Sequence, residues 1–280
     1  MDAPELVALL AGRRVAVLTG AGVSTDSGIP DYRGPDSPPA NPMTIRQFTS
    51  SREYRQRYWA RNHLGWRHMA ATEPNAGHRA LAALERADVV TGVITQNVDL
   101  LHTKGGSRTV INLHGTYAQV VCLDCGHSMS RAALAELLEA ANPGFTERAE
   151  RVGGLAVAPD ADAVVADTGS FRFVDCPACG GMLKPDIVYF GESVAKEVVD
   201  QAYSLVDTSD ALLVAGSSLT VFSGYRFVRH AAAHGIPVAI VNRGPTRGDD
   251  LADVKVDAGC SPILALLADE LILRCRSTSS

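Results

Sequence analysis

Short, mostly apolar runs recur along the chain, and each gives way abruptly to polar or glycine residues. Arg14 to Thr19 is the first such run, and Val89 to Thr95 and Val110 to Leu113 are the next. Ile187 to Phe190, Asp210 to Ala215, Pro237 to Val241 and Lys255-Val256 continue the series. Continuous apolar stretches of this length predict strands buried on both faces, the signature of a parallel sheet. Between them the period lengthens to that of a helix: residues 4–12, His78 to Glu85, 131–141, 196–206, Tyr225 to His234 and Ile263 to Leu271. Met43 to Ala71 reads as one helical stretch crowded with arginine and aromatics, with Tyr58 and Trp59 turned inward or, alternatively, forming a wall of a ligand cleft. Strands alternating with helices give an α/β class with a mostly parallel sheet. Gly34 to Pro42 and Asn142 to Thr168, with its acidic Asp160 and Asp162, read as loops, and the final serines as a frayed end.

Composition narrows the class without naming it. Of the 280 residues 46% are hydrophobic and 20% charged, ordinary for a globular protein, and the formal net charge of −5 argues against binding nucleic acid by bulk charge. No apolar run reaches the roughly 18 residues of a membrane helix, and the acidic N-terminus resembles neither a signal peptide nor a presequence. The expectation is a soluble cytoplasmic protein with no membrane or direct nucleic-acid partner.

Two features carry chemistry. Gly20 to Gly34, GAGVSTDSGIPDYRG, follows the first strand, and glycines one residue apart let the backbone turn sharply and approach a ligand. Strand, glycine turn and small hydroxyls is the usual cradle for a dinucleotide pyrophosphate, although Thr25 stands where the third glycine of the usual fingerprint would be. The polar groups that end the other strands are Gln96, Asn97 and Asp99, then His114, then Gly216, Ser217 and Ser218, and finally Asn242. One such group is usually a cap, but five sets on one sheet edge predict a shared cleft. His114 is the only histidine among them, and an imidazole suits a general base near neutral pH. Cys122-x-x-Cys125 and Cys176-x-x-Cys179 form the second feature. In a reducing compartment two matched pairs predict four thiolates on one structural zinc ion, with no open position for catalysis.

Taken together, these residues resemble the sirtuins, the NAD-dependent protein deacylases, over nearly the whole chain. The resemblance rests on the glycine stretch, TQNVD at Thr95–Asp99, His114-Gly115, the cysteine pairs, KPDIVYFGE at Lys184–Glu192, GSSL at Gly216–Leu219, and Asn242. RQRYWARN, VCLDCG and GPTRGDDLA look most like the class II branch. The resemblance implies a Rossmann-like, mostly parallel sheet with an inserted smaller zinc-binding module. The NAD-binding domain would take 1–34, 75–117 and 186–280, and a small domain 35–74 and 118–185. Gly20, Ala21, Gly22, Thr25, Asp31, Tyr32 and Arg33 would lie along NAD and its mobile loop. Gln96, Asn97 and Asp99 would position the nicotinamide ribose and carboxamide. Gly216, Ser217, Ser218, Asn242, Arg243 and Gly244 would hold the adenosine half, and Cys260 would contact its adenine end through its backbone. Val188 and Phe190 would line an acyl-lysine tunnel, and Gly191, Glu192, Val221, Phe222 and Ser223 would clamp the substrate protein by strand addition. The implied reaction is acyl transfer from lysine to ADP-ribose with loss of nicotinamide, His114, Asn97 and Asp99 being the catalytic set. Mono-ADP-ribosyl transfer to a protein is the implied alternative.

Overall fold

The structure, a computed structural model, describes residues 3–32, 42–151 and 168–278. Arg33, the loop expected after Gly34, Asp160 and Asp162, and the last two serines lie outside the described residues. In chain order the described elements begin with α1 (Pro4–Leu10), β1 (Val15–Thr19), α2 (Ile45–Ser50) and α3 (Arg52–Ala71). They continue with α4 (Ala76–Arg86), β2 (Val90–Thr95), α5 (Leu101–Lys104), β3 (Val110–Asn112), β4 (Gly115–Cys122), β5 (Ser128–Ser130) and α6 (Arg131–Ala141). The remainder is α7 (Phe145–Arg151), β6 (Leu183–Ile187), α8 (Lys196–Asp207), β7 (Ala211–Ala215), α9 (Phe222–Ala233), β8 (Val238–Val241), β9 (Val254–Val256) and α10 (Cys260–Thr278).

Six strands form one parallel sheet in the order β3-β2-β1-β7-β8-β9. The order runs outward in both directions from β1, so β1 and β7 are neighbours whose crossovers leave to opposite sides. A crevice opens beyond the C-terminal ends of strands at such a switch point. The strands alternate as the pleat requires. Val15 and Val17 face a core shared with α1, α4 and α10, whereas Ala16 and Leu18 face a second core shared with α8 and α9. Every residue of β1, β7 and β8 is buried, which is why these strands are apolar up to the hydrogen-bonded Thr19 that ends β1.

Three sequence expectations are corrected. Ile187 to Phe190 is not a strand of the parallel sheet: the strand is β6, and it pairs antiparallel with β4 in a separate sheet ordered β5-β4-β6. Pro185 sits in β6 without penalty because β6 is an edge strand. Met43 to Ala71 is two helices, since Ser51 is extended and caps the second through the Tyr54 N–H. Asn142 to Thr168 is not all loop, as α7 occupies part of it. The inward reading of Tyr58 and Trp59 holds: both are buried in a third core with Phe48, Tyr117, Leu134, Leu138 and Phe171. No helix among the described residues is long and apolar enough to cross a membrane.

Candidate active site

The turn after β1 is built on close backbone packing. Gly20 N–H donates to the Ala215 carbonyl at 3.1 Å and Gly22 N–H to the Gly216 carbonyl at 2.8 Å. A Cβ on Gly20 would lie 2.7 Å from the Gly216 oxygen, one on Gly22 2.9 Å from the Gly216 Cα, and one on Gly216 2.3 Å from the Val23 nitrogen. Gly216 also has φ +65°, a conformation that glycine adopts without strain. The three glycines therefore let the turns after β1 and β7 lock together at the switch point. This is a reason for the glycine pair in addition to the ligand approach read from the sequence.

Ser24 ends the first short turn and is fully buried. Its hydroxyl donates to Asp99 Oδ2 at 2.7 Å, and the Leu101 N–H donates to Asp99 Oδ1 at 2.9 Å. Burial pushes the Asp99 carboxyl up from its ordinary value, while those two bonds oppose the shift. Asn97 reaches across the same space, its Nδ2 donating to the Gly20 carbonyl and to Ser24 Oγ, both at 3.1 Å. The Asn97 N–H donates to Thr95 Oγ1, which belongs to a buried chain through Thr19 to His102. The strand-end residues of β1 and β2 are thus one hydrogen-bonded unit. Ser24 is its hub, a residue the sequence marked only as a small hydroxyl.

His114 follows β3 and is half-buried. Its Nδ1 lies 2.9 Å from the Gln96 carbonyl and its Nε2 2.8 Å from Ser223 Oγ. A carbonyl only accepts, so Nδ1 carries the proton and Nε2 is the free base nitrogen. Burial lowers the imidazole below its ordinary value, and the Gln96 carbonyl opposes this, so the ring is neutral at neutral pH. Gln96 is held in turn by Ser217, whose hydroxyl donates to its Oε1 at 2.6 Å.

These groups line one cleft of about 890 Å³. Gly20, Ala21, Gly22, Asp31 and Tyr32 from the first loop face it, with Gln96, Asn97, Asp99 and His114. Gly216, Ser217 and Ser218, then Asn242, Arg243 and Gly244, line it from the other half of the sheet, and Val188, Phe190, Gly191, Glu192, Val221, Phe222 and Ser223 from one wall. Two expected residues are not brought to it. Thr25 turns its hydroxyl back to the Gly22 carbonyl, and Cys260 is buried with its thiol against the Val241 carbonyl. Burial pushes the Cys260 thiol up to about 12, so it is no nucleophile. Phe222 and Ser223 begin α9, so the extended backbone expected for strand addition ends at Val221. Tyr58 and Tyr117, whose hydroxyls are 3.4 Å apart, also line the cleft, as does Arg226. For Tyr58 the alternative reading of its helix as a cleft wall holds as well, whereas Tyr117 and Arg226 carried no sequence signal, since they reach the cleft only through the tertiary fold.

The four cysteines converge away from the cleft. Their sulfur atoms all lie within 4.8 Å of one another, with Cys122 to Cys179 at 3.6 Å and Cys125 to Cys176 at 3.8 Å. A zinc tetrahedron with arms of about 2.3 Å has edges of about 3.8 Å, so the set fits the metal and is too open for a disulfide. Each pair sits on a turn closed by a glycine of positive φ, Gly126 or Gly180, whose N–H donates to the carbonyl of the first cysteine.

Comparison with known proteins agrees with this geometry. Residues 20–223 match the Sir2 family. The chain is 79% identical over 270 residues to the NAD-dependent protein deacetylase 1 of Mycobacterium avium, covering 96% of each. It is 46% identical to the NAD-dependent protein deacylase Sirt4 of Drosophila melanogaster, covering 93% of this chain and 84% of the relative, in keeping with the class II likeness. A solved Sir2 structure with a p53 peptide and NAD+ superposes with a TM-score of 0.77 at 30% identity, covering 96% of this chain and 98% of that one. The glycine-locked switch point, the buried strand-end polar unit and the tetrahedral cysteines are thus features of a chain that belongs to the Sir2, or sirtuin, family.

Proposed function

We propose that the protein is an NAD-dependent protein lysine deacylase, acting on acylated lysines of other proteins. The observation that carries this reading is His114 in a cleft at the switch point of a parallel sheet, its Nδ1 held by the Gln96 carbonyl and its Nε2 against the Ser223 hydroxyl. When bound, NAD would supply a ribose carbon from which nicotinamide can leave. Gly20, Ala21, Gly22, Gly216, Ser217, Ser218, Asn242, Arg243 and Gly244 would hold it along the strand ends, with Asp31, Tyr32 and Arg33 on its loop. Asn97 and Asp99 would fix the nicotinamide half, because both are already immobilised by Ser24 and need no reorganisation. Val188 and Phe190 would flank the acyl chain, and Gly191, Glu192 and Val221 would meet the peptide backbone. His114 would take the proton from a ribose hydroxyl, for which its neutral form is required. The cysteine set would hold zinc as a structural ion, with no role in the reaction.

The division into an NAD-binding domain (1–34, 75–117, 186–280) and a small domain (35–74, 118–185) belongs to the same reading. The separate three-stranded sheet and its own apolar core support it. Two C-x-x-C pairs whose sulfurs are too far apart for a disulfide suit a reducing compartment, which supports the cytoplasm. The deacetylase and deacylase names of the relatives favour deacylation over ADP-ribosyl transfer.

The test is mass spectrometry of acyl-lysine peptides, from acetyl to lipoyl, incubated with NAD. Deacylated peptide, nicotinamide and O-acyl-ADP-ribose in equal amounts are expected. ADP-ribose attached to protein, with every peptide left acylated, would overturn the reading. His114→Ala should lower turnover by about 10²-fold or more while leaving NAD affinity within a few-fold, since a general base contributes roughly 10²–10⁴. Steady-state rates and calorimetric NAD binding on the same preparation check it.

A further inference from the structure

Ser223 stands in the first turn of α9, where a serine hydroxyl ordinarily bonds to nearby backbone. Here no side chain caps the helix, and the Ser223 hydroxyl goes to His114 Nε2 at 2.8 Å. Because the Gln96 carbonyl fixes the ring proton on Nδ1, Nε2 is bare and the Ser223 O–H donates to it. The one lone pair that His114 has for a proton is therefore covered by a hydroxyl. That hydroxyl is held in place. The next residue, Gly224, packs so tightly on the Gln96 amide that a Cβ there would lie 2.8 Å from Gln96 Cδ. Gln96 is pinned by Ser217 and bonds the ring through its carbonyl, so α9, Gln96 and His114 form one rigid contact. Ser223 also lines the cleft, so its oxygen can meet a ligand there.

A hydroxyl both donates and accepts, which makes it able to pass a proton on without a net change of its own. We propose that Ser223 relays the proton between the substrate ribose hydroxyl and His114. This rests on the deacylase reading above and gives Ser223 a catalytic task in place of a peptide contact. The ribose O–H bond breaks and its proton goes to Ser223 Oγ. The Ser223 proton passes to His114 Nε2, and the electron pair stays on the ribose oxygen, which attacks the acyl carbon of the ribose-linked imidate as the C=N π bond breaks and its pair moves onto the lysine nitrogen. The imidazole ends as imidazolium and the serine is regenerated. The relay acts after nicotinamide has left, so the two halves of the reaction respond differently to its loss.

The experiment compares wild type, Ser223→Ala and Ser223→Thr with one acetyl-lysine peptide. It measures deacylation, exchange of labelled nicotinamide into NAD, and calorimetric affinity for ADP-ribose. The ¹⁵N signal of His114 Nε2 in the NAD-free protein is recorded alongside. In Ser223→Ala, deacylation is expected to fall at least tenfold, with exchange and ADP-ribose affinity within about twofold of wild type. The Nε2 signal should move downfield as the nitrogen loses its donor, and Ser223→Thr should restore both deacylation and the signal. Deacylation by Ser223→Ala within twofold of wild type, or faster, would overturn the relay and leave the hydroxyl as a mere occupant of the nitrogen. Failure of threonine to rescue would also overturn it, by assigning the loss to packing. A wild-type enzyme that exchanges no nicotinamide with any acyl peptide would instead sink the deacylase reading, and the Nε2 signal would still report on the bond.

Discussion

At the scale of single residues, the site depends on where a side chain is absent as much as on where one is present. Gly216 has both a positive φ and no room, so Gly216→Ala pays twice: about 1 kcal/mol for the left-handed conformation, and more for driving the turns after β1 and β7 apart. A total of roughly 2–4 kcal/mol and a matching collapse of NAD affinity are expected. Urea unfolding and calorimetry would check both. Wild-type affinity in a folded variant would mean that the locked turns do not shape the cleft. Ser24, Asn97 and Asp99 show the complementary principle. Each finds its partners inside the protein before any ligand arrives, so the polar groups are already oriented.

At the scale of elements, the central strands β1, β7 and β8 could be read because burial on both faces keeps them apolar up to the last residue. The second sheet could not. β4 mixes Thr116, Tyr117, Ala118 and Gln119 because much of it is only partly covered, and β6 carries Pro185, which an edge strand admits. The apolar Val188, Tyr189 and Phe190 mimicked a strand, yet Phe190 is 41% exposed and forms cleft wall. The cysteine pairs were legible because C-x-x-C spacing is local, whereas the Ser223–His114 bond joins residues 109 positions apart and left no trace in the sequence. The metal prediction belongs to this scale. The β4, β5 and β6 sheet leans on its cysteine knuckles, so removing zinc with a chelator should destabilise the protein by several kcal/mol, within the roughly 10–16 kcal/mol that such sites can supply. Cys122→Ala should do the same without a chelator. Zinc content and melting temperature measured together decide it, and an unchanged melting temperature in zinc-free protein would refute a structural ion.

At the scale of the whole molecule, stability is linked to pH through histidines locked inside. His78 Nδ1 accepts from the Asn75 N–H at the start of α4, and its ring lies 4.8 Å from that of His102. Burial, then Arg79, lowers His78 from 6.5 to about 4, and burial lowers His102 as well. The folded pKa is depressed, so the unfolded chain binds the proton first as pH falls. The stability contributed is fully present above about 6.5 and is lost toward about 4. Unfolding free energy should drop by on the order of 2 kcal/mol from His78 alone between pH 7 and pH 5. His78→Gln, which can still accept from Asn75, should flatten that drop. Equal slopes in variant and wild type would remove His78 from the account.

The join between the two sheets has a further consequence. β4 begins at Gly115, the residue after His114, and ends at Cys122, its register against β6 shifting between Gly115 and Val120, while the Val188 N–H, just past β6, donates to the His114 carbonyl. One strand thus joins the imidazole to Cys122, one of the metal thiolates. Such a linkage couples the two ends. On slow heating, loosening at the cysteine end would tilt the imidazole while the six-stranded sheet is still intact. Turnover should therefore fail several degrees below the global melting transition, and the gap should close when excess zinc holds the far end.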